Sequence, residues 1–142
     1  MTFARGAEIA HLPPNPKGAP CPDGQPRLPL VASAPVDKAQ LDEAVAVAAE
    51  ADVVVAVVGD NIYLCGEGRS TATLNLMGGQ NALIDALIAT GKPVVIVLLA
   101  SKPLVLPPSA EQAAAVVWAA NPGMKGGQAL AELLFGDIEP VG

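Results

Sequence analysis

The sequence has few aromatic, histidine and cysteine residues. Of its 142 residues, four are aromatic, one is histidine and two are cysteine. So few aromatic rings leave few platforms on which a flat or cyclic ligand could stack. Cys21 and Cys65 lie 44 positions apart, in no metal-binding or redox spacing. We expect two unpaired thiols, with a disulfide as the alternative, and no metal or organic cofactor.

Positive charge and long apolar runs are also lacking. The formal net charge is -6 and lysines and arginines form no cluster, so a nucleic-acid partner is not expected. Apolar runs such as Val94 to Ala100, with seven residues, fall far short of the ~20 needed to span a bilayer. The opening residues lack the apolar core of a secretory signal. As written, the sequence would be cytoplasmic, and the cellular location stays open.

Apolar residues and prolines are plentiful. The chain is 51% hydrophobic, and its length suits about one domain. Seven of the fourteen prolines fall within residues 13–29, which excludes helix and central strand there. Residues 2–9, TFARGAEI, resemble a short strand. We therefore divide the chain into residues 1–36, an N-terminal strand and proline-rich loop, and residues 37–142, an α/β core.

After the proline-rich segment, helical and strand patterns alternate. Asp37 and Gln40 form a capping-box signature ahead of apolar residues at helical spacing. The patterns predict helices over residues 38–51, 79–90 and 126–135 and strands over residues 53–58, 94–99 and 114–118, with a short irregular helix before the last strand. This alternation predicts a parallel sheet with helices on both faces. The first strand is expected to be covered on both faces, and so few strands suggest missing edge strands and a fragment.

Three loops follow the carboxyl ends of the predicted strands, where parallel sheets bind ligands: residues 59–79, 100–109 and 120–127. Residues 66–71, GEGRST, could bind a phosphorylated ligand, but they match neither common phosphate-binding fingerprint. The glycines of residues 121–127, NPGMKGG, could simply make the turn into the last helix.

Glu67 stands between two glycines in the first loop. Glycine neighbours would let a ligand approach closely, which suits a general acid, but a solvated charge on a turn is the alternative. Tyr63 is the aromatic residue most suited to face a ligand. Trp118 and Phe135 fall on apolar positions of a strand and a helix and are predicted to pack in the core. His11 is expected on the surface.

Three separated motifs resemble one family. They are GDNIYLCGEGRSTATLNLMGGQNALIDAL, then TGKPVVIVLLASKPLVL, then VVWAANPGMKGGQALAELLFGDIEPVG. In order and spacing they resemble the C-terminal domain of glycoside hydrolase family 3, which contains β-glucosidases and β-xylosidases. The resemblance covers about residues 38–142. It implies a three-layer α/β sandwich.

The resemblance also implies an active site shared by two domains. In the family, an N-terminal barrel supplies an aspartate nucleophile, and a loop of the C-terminal domain supplies the acid/base carboxylate of a retaining mechanism. Glu67 matches that carboxylate, and Asp60, directly after the strand, is the alternative. Tyr63 and Arg69 are the expected substrate-binding residues. The implied substrate is a β-linked glycoside or oligosaccharide, and the implied partner is the barrel.

The sequence also departs from the family. Many members follow the Glu-Gly pair with x-Asp-Arg, whereas this chain has Arg69, Ser70 and Thr71. No barrel sequence is present, so we expect the chain alone to lack the nucleophile. The alternatives are a non-catalytic remnant or sugar-binding module, and a flavodoxin-like domain that binds a phosphorylated ligand.

Overall fold

The computed structural model describes residues 1–15, 22–24, 30–66 and 71–140. Two short strands come first, β1 (Ala10–His11) and β2 (Ala32–Ser33). They are followed by α1 (Lys38–Ala49), β3 (Val54–Gly59), α2 (Gln80–Ala89), β4 (Val94–Leu99), a 3₁₀ helix (Pro108–Gln112), β5 (Ala115–Trp118) and α3 (Gly126–Phe135). Every helix and strand predicted after residue 37 is present: β4 and α3 have the predicted bounds, and the ends of the others differ by at most two residues.

α1 begins where the sequence predicted a cap. The Asp37 side chain accepts hydrogen bonds from the backbone N–H groups of Ala39, at 2.9 Å, and Gln40, at 3.2 Å. These bonds satisfy two of the N–H groups that a helix start leaves without an internal partner. The helix then buries Ala44 and Ala48, one turn apart, in the hydrophobic core. Small side chains there allow a close approach of α1 and α2.

The three longer strands form one parallel sheet with the order β3-β4-β5. β4 is central: Val54 pairs with Val94 on one side of it, and Val95 pairs with Ala115 on the other. Its sequence VVIVLL is mostly β-branched and apolar, as suits a strand with neighbours on both sides. The predicted fold class is confirmed, because three helices and a parallel three-stranded sheet form an open α/β sandwich.

The hydrophobic core lies on one face of this sheet. Its helical members come from α1, α2 and the 3₁₀ helix, and its strand members from β3 and β4 are the even-numbered residues. Ile84 of α2 and Ile96 of β4 are completely buried at its centre. The other members are Ala44, Ala48, Ala56, Val58, Leu76, Leu83, Leu87, Val94, Leu98, Ala100 and Ala110.

The expectation that the first strand is covered on both faces is wrong for the part of the chain that the structure describes. Val53, Val55 and Val57 are about half exposed, whereas Ala56 and Val58 between them are buried. Alternate residues of a strand point to opposite faces of the sheet. The helices that contribute to the core pack against the even-numbered face of β3, which leaves the odd-numbered valines open.

Two aromatic residues are also not where they were predicted. Trp118 is 60% exposed and Phe135 is 81% exposed, so neither is a core residue. Trp118 ends β5, which among the described residues has a neighbouring strand on one side, and its indole N–H donates to the Ala100 carbonyl at 3.0 Å. Phe135 is the last residue of α3. His11 is exposed, as predicted.

The predicted strand over residues 2–9 is wrong. A turn interrupts the segment, because the Ala7 N–H donates to the Arg5 carbonyl at 2.8 Å. The first strand is β1, which pairs antiparallel with β2 from the far side of the proline-rich segment. In the described residues no helix is long and apolar enough to cross a bilayer.

Candidate functional site

The carboxyl ends of β3 and β4 lie side by side, and their loops are joined there. The Asp60 N–H donates to the Leu99 carbonyl at 2.9 Å, which extends the pairing of the two strands by one bond. Further along the first loop, the Leu74 carbonyl accepts from the Val105 N–H at 2.8 Å. The loops predicted to matter for ligand binding, residues 59–79 and 100–109, are therefore held together at one edge of the sheet.

An ion pair joins the same two loops. Lys102 Nζ lies 2.7 Å from Asp60 Oδ2 and also donates to the Leu64 carbonyl at 3.0 Å. The Asp60 side chain is 7% exposed and the Lys102 side chain 24% exposed. One ammonium group therefore satisfies two acceptors of the first loop that are four residues apart in sequence.

The loop makes a compact turn immediately after Asp60. The Asn61 side chain accepts from the Tyr63 N–H at 3.0 Å, and the Asn61 carbonyl accepts from the Leu64 N–H at 3.0 Å. The Cys65 thiol lies 3.4 Å from the same carbonyl. Leu64 is buried, whereas the Tyr63 side chain is 38% exposed. Hydrogen bonds within the turn thus hold its backbone, while the Tyr63 side chain stays partly exposed.

Gln80, the first residue of α2, holds the loop at both ends. Its side chain is buried, and its Oε1 accepts from the Gly59 N–H at 2.6 Å. Its Nε2 donates to the Gly59 carbonyl and to the Met77 carbonyl, both at 2.9 Å. The amide therefore satisfies both backbone groups of the last residue of β3 and one carbonyl at the end of the loop.

Gln80→Leu should destabilise the chain by about 3 kcal/mol, because the two buried backbone groups of Gly59 and the partly buried Met77 carbonyl would lose their partner. Urea unfolding of the 142-residue chain measures the loss. Gln128→Leu is the matched control, because Gln128 is exposed on α3 and its amide donates to the Glu132 side chain. The control should change the free energy of unfolding by less than about 0.5 kcal/mol. Equal effects of the two substitutions would contradict the structural role of Gln80.

The structure describes some of the predicted site residues and not others. Asp60 and Tyr63 lie in the same turn at the carboxyl edge of the sheet. Glu67 and Arg69 lie outside the described residues, as do Cys21 and most of the segment 66–71 considered for phosphate. Cys65 is a free thiol. Among the described residues, no group of three His, Cys, Asp or Glu side chains is arranged to hold a metal ion.

Sequence reasoning gave no role to two residues that shape the site. Lys102 belongs to the motif SKPLVL and Gln80 ends the motif LNLMGGQ, and both motifs were recognised only as marks of resemblance. The available signal was a polar residue near the end of an apolar element: Lys102 is the third residue after β4, and Gln80 is the first residue of α2.

Comparison with known proteins identifies the family. The sequence profile described as "Glycosyl hydrolase family 3 C-terminal domain" matches residues 6–142. The chain belongs to glycoside hydrolase family 3. The match covers residues 38–142, where the resemblance was placed, and also residues 6–9 of the segment 2–9, which resembled an earlier strand of the same domain only weakly.

Relatives within family 3 carry two kinds of name. The chain is 45% identical over 105 residues to a "Periplasmic beta-glucosidase" of Salmonella typhimurium and 41% identical over 100 residues to a "Beta-xylosidase" of Formosa agariphila. These matches cover 74% and 70% of the chain but 14% of each relative. The chain therefore spans about a seventh of the length of these curated relatives.

Solved structures in the family share the fold. A β-glucosidase involved in saponin metabolism from intestinal bacteria superimposes with a TM-score of 0.85 at 50% identity. The match covers 95% of this chain and 20% of that one. A β-glucosidase of Erythrobacter marinus superimposes with a TM-score of 0.70 at 34% identity over 98% of this chain.

Proposed function

We propose that this chain supplies the acid/base carboxylate of a retaining, exo-acting β-glycosidase, and that the carboxylate is Glu67. The supporting observation is the first loop: residues 60–66 are anchored at the carboxyl edge of the sheet, directly before Glu67 in sequence. Ligands of parallel α/β sheets meet the protein at that edge. Family 3 relatives named β-glucosidase and β-xylosidase support glycosides as the substrate class.

The proposed chemistry needs two carboxyl groups, and this chain would contribute one. In a retaining mechanism the acid protonates the leaving glycosidic oxygen while the other carboxylate attacks the anomeric carbon. The first group then removes a proton from water as the glycosyl intermediate is hydrolysed. The two carboxyl groups must lie ~5 Å apart, so the barrel that carries the nucleophile would have to face the first loop.

Asp60 is the other carboxylate considered for this role. Its oxygen is bound by the Lys102 ammonium at 2.7 Å, and its side chain is almost buried. A group that must exchange protons with a substrate needs access to that substrate. We therefore prefer Glu67, with Tyr63 and Arg69 as the residues that contact the sugar. The exposure of Tyr63 supports its part in this assignment.

A chimera tests the proposal. The chain would replace the matching segment of the intestinal bacterial β-glucosidase, to which it is 50% identical. We expect the chimera to hydrolyse 4-nitrophenyl β-glucoside or β-xyloside, and the 142-residue chain alone to show no turnover. A folded chimera without activity would favour a non-catalytic remnant or sugar-binding module. A rise in the melting temperature of the chain with millimolar nucleotide would instead favour the phosphorylated-ligand alternative.

A further inference from the structure

The first loop is held in place by a residue from the neighbouring strand's loop. Lys102 follows β4, whereas Asp60 and Leu64 follow β3, so the two bonds from Lys102 Nζ cross between adjacent strand ends. The backbone of Asp60 is fixed separately by its bond to Leu99. Lys102 therefore adds a side-chain anchor to the backbone bond that fixes the turn after Asp60 relative to the sheet.

We propose that Lys102 is a positioning residue for the acid/base: its ammonium fixes Asp60 and the Leu64 carbonyl, and thereby the backbone that leads to Glu67. The inference rests on the proposed function of Glu67. Leu64 precedes Glu67 by three residues, a stretch of backbone that spans at most ~11 Å. We infer that a shift of the Leu64 carbonyl shifts the start of this stretch, and a misplacement of an acid/base by ~1 Å can cost ~100-fold in rate.

The burial of the pair supports a positioning role. A buried ion pair is seldom more stabilising than apolar side chains of the same volume, because both charges lose their hydration. It does impose a defined geometry, since the ammonium must meet both acceptors at hydrogen-bond distance. The 2.7 Å and 3.0 Å bonds meet that condition.

Cys65 provides a test of loop anchoring that does not depend on activity. It follows Leu64 directly, and its thiol is partly buried against the Asn61 carbonyl. In the 142-residue chain carrying Cys21→Ser, we expect Lys102→Met to raise the rate of alkylation by iodoacetamide about 10-fold through local opening of the turn. Lys102→Arg, which keeps the charge and N–H donors on a larger, planar group, should raise the rate less than Lys102→Met does.

Two controls separate local opening from general destabilisation. Lys92→Met removes a lysine at the opposite end of β4 and should leave the alkylation rate unchanged. Hydrogen exchange at the Ile96 amide, in the centre of the sheet, reports global unfolding, which the unpaired Asp60 carboxylate of Lys102→Met also favours. The free energy of opening obtained from alkylation of Cys65 should be smaller than the one obtained at Ile96, because local opening at the turn does not expose β4. An unchanged alkylation rate in Lys102→Met would overturn the proposal.

The chimera tests the link to Glu67. Lys102→Met should lower kcat about 100-fold with KM within about 2-fold, and should cause little further loss in a Glu67→Gln background, because the two residues would act on one step. A purely structural role of Lys102 would lower activity equally in both backgrounds, and this result would overturn the inference. Full activity of Glu67→Gln would refute the proposed function instead, whereas the alkylation rates would still report whether Lys102 anchors the loop.

Discussion

Glu67→Gln in the chimera should lower kcat/KM for methyl β-glucoside by about 10²- to 10⁴-fold, the usual contribution of a general acid/base. Glutamine has nearly the shape of glutamate but cannot donate the proton that an alkoxide leaving group requires. The loss should be much smaller for 2,4-dinitrophenyl β-glucoside, since its phenolate leaves without protonation. Turnover of that substrate would then be limited by the second step, which lacks its base.

Azide separates this role from general damage to the site. Azide attacks the glycosyl intermediate without needing a base, so it should speed turnover of the dinitrophenyl substrate by Glu67→Gln and release a glycosyl azide. Glu43→Gln, on the exposed surface of α1, is the matched control and should behave as the parent. A kcat/KM of Glu67→Gln for methyl β-glucoside within about 3-fold of the parent would contradict the assignment. Azide rescue in Asp60→Asn instead would assign the acid/base role to Asp60.

Gly59→Ala should prevent cooperative folding of the chain or cost more than about 4 kcal/mol. Gly59 ends β3 with φ of +144°, a conformation that residues with a side chain rarely adopt. An added Cβ would lie 1.9 Å from the Leu99 carbonyl oxygen and 2.7 Å from its carbon. Relief would require β3 and β4 to separate at the point where Asp60 bonds to Leu99.

Urea unfolding compares Gly59→Ala with Gly91→Ala. Gly91 also has positive φ, at +72°, but an added Cβ would meet no atom within 4 Å. The control therefore keeps the backbone strain without the clash and should cost only about 1 kcal/mol. Similar losses for both variants would show that conformational strain, and not the close approach of β3 and β4, makes Gly59 necessary.

The secondary structure of the core could be predicted because its signals are local. The run VVIVLL marks β4, and the residues that follow Asp37 mark α1, since apolar spacing and caps act within one turn or one strand. The three family motifs also lie within short segments. The predicted fold class and family are accordingly confirmed. The position of Asp60 and Tyr63 at the carboxyl edge of the sheet could be predicted for the same reason, because both residues follow a strand in the local sequence.

The contacts that shape the site depend on the tertiary structure. Lys102 meets Asp60 across 42 positions, and Gln80 meets Gly59 across 21. These pairs form because β3 and β4 are neighbours and end at the same edge, and no spacing in the sequence encodes that adjacency. The exposure of Val55, Val57 and Trp118 has the same origin, since an apolar residue is buried only where another element packs against its face. The apolar pattern is a local property of the sequence, whereas the burial of each apolar side chain depends on where the other helices and strands pack.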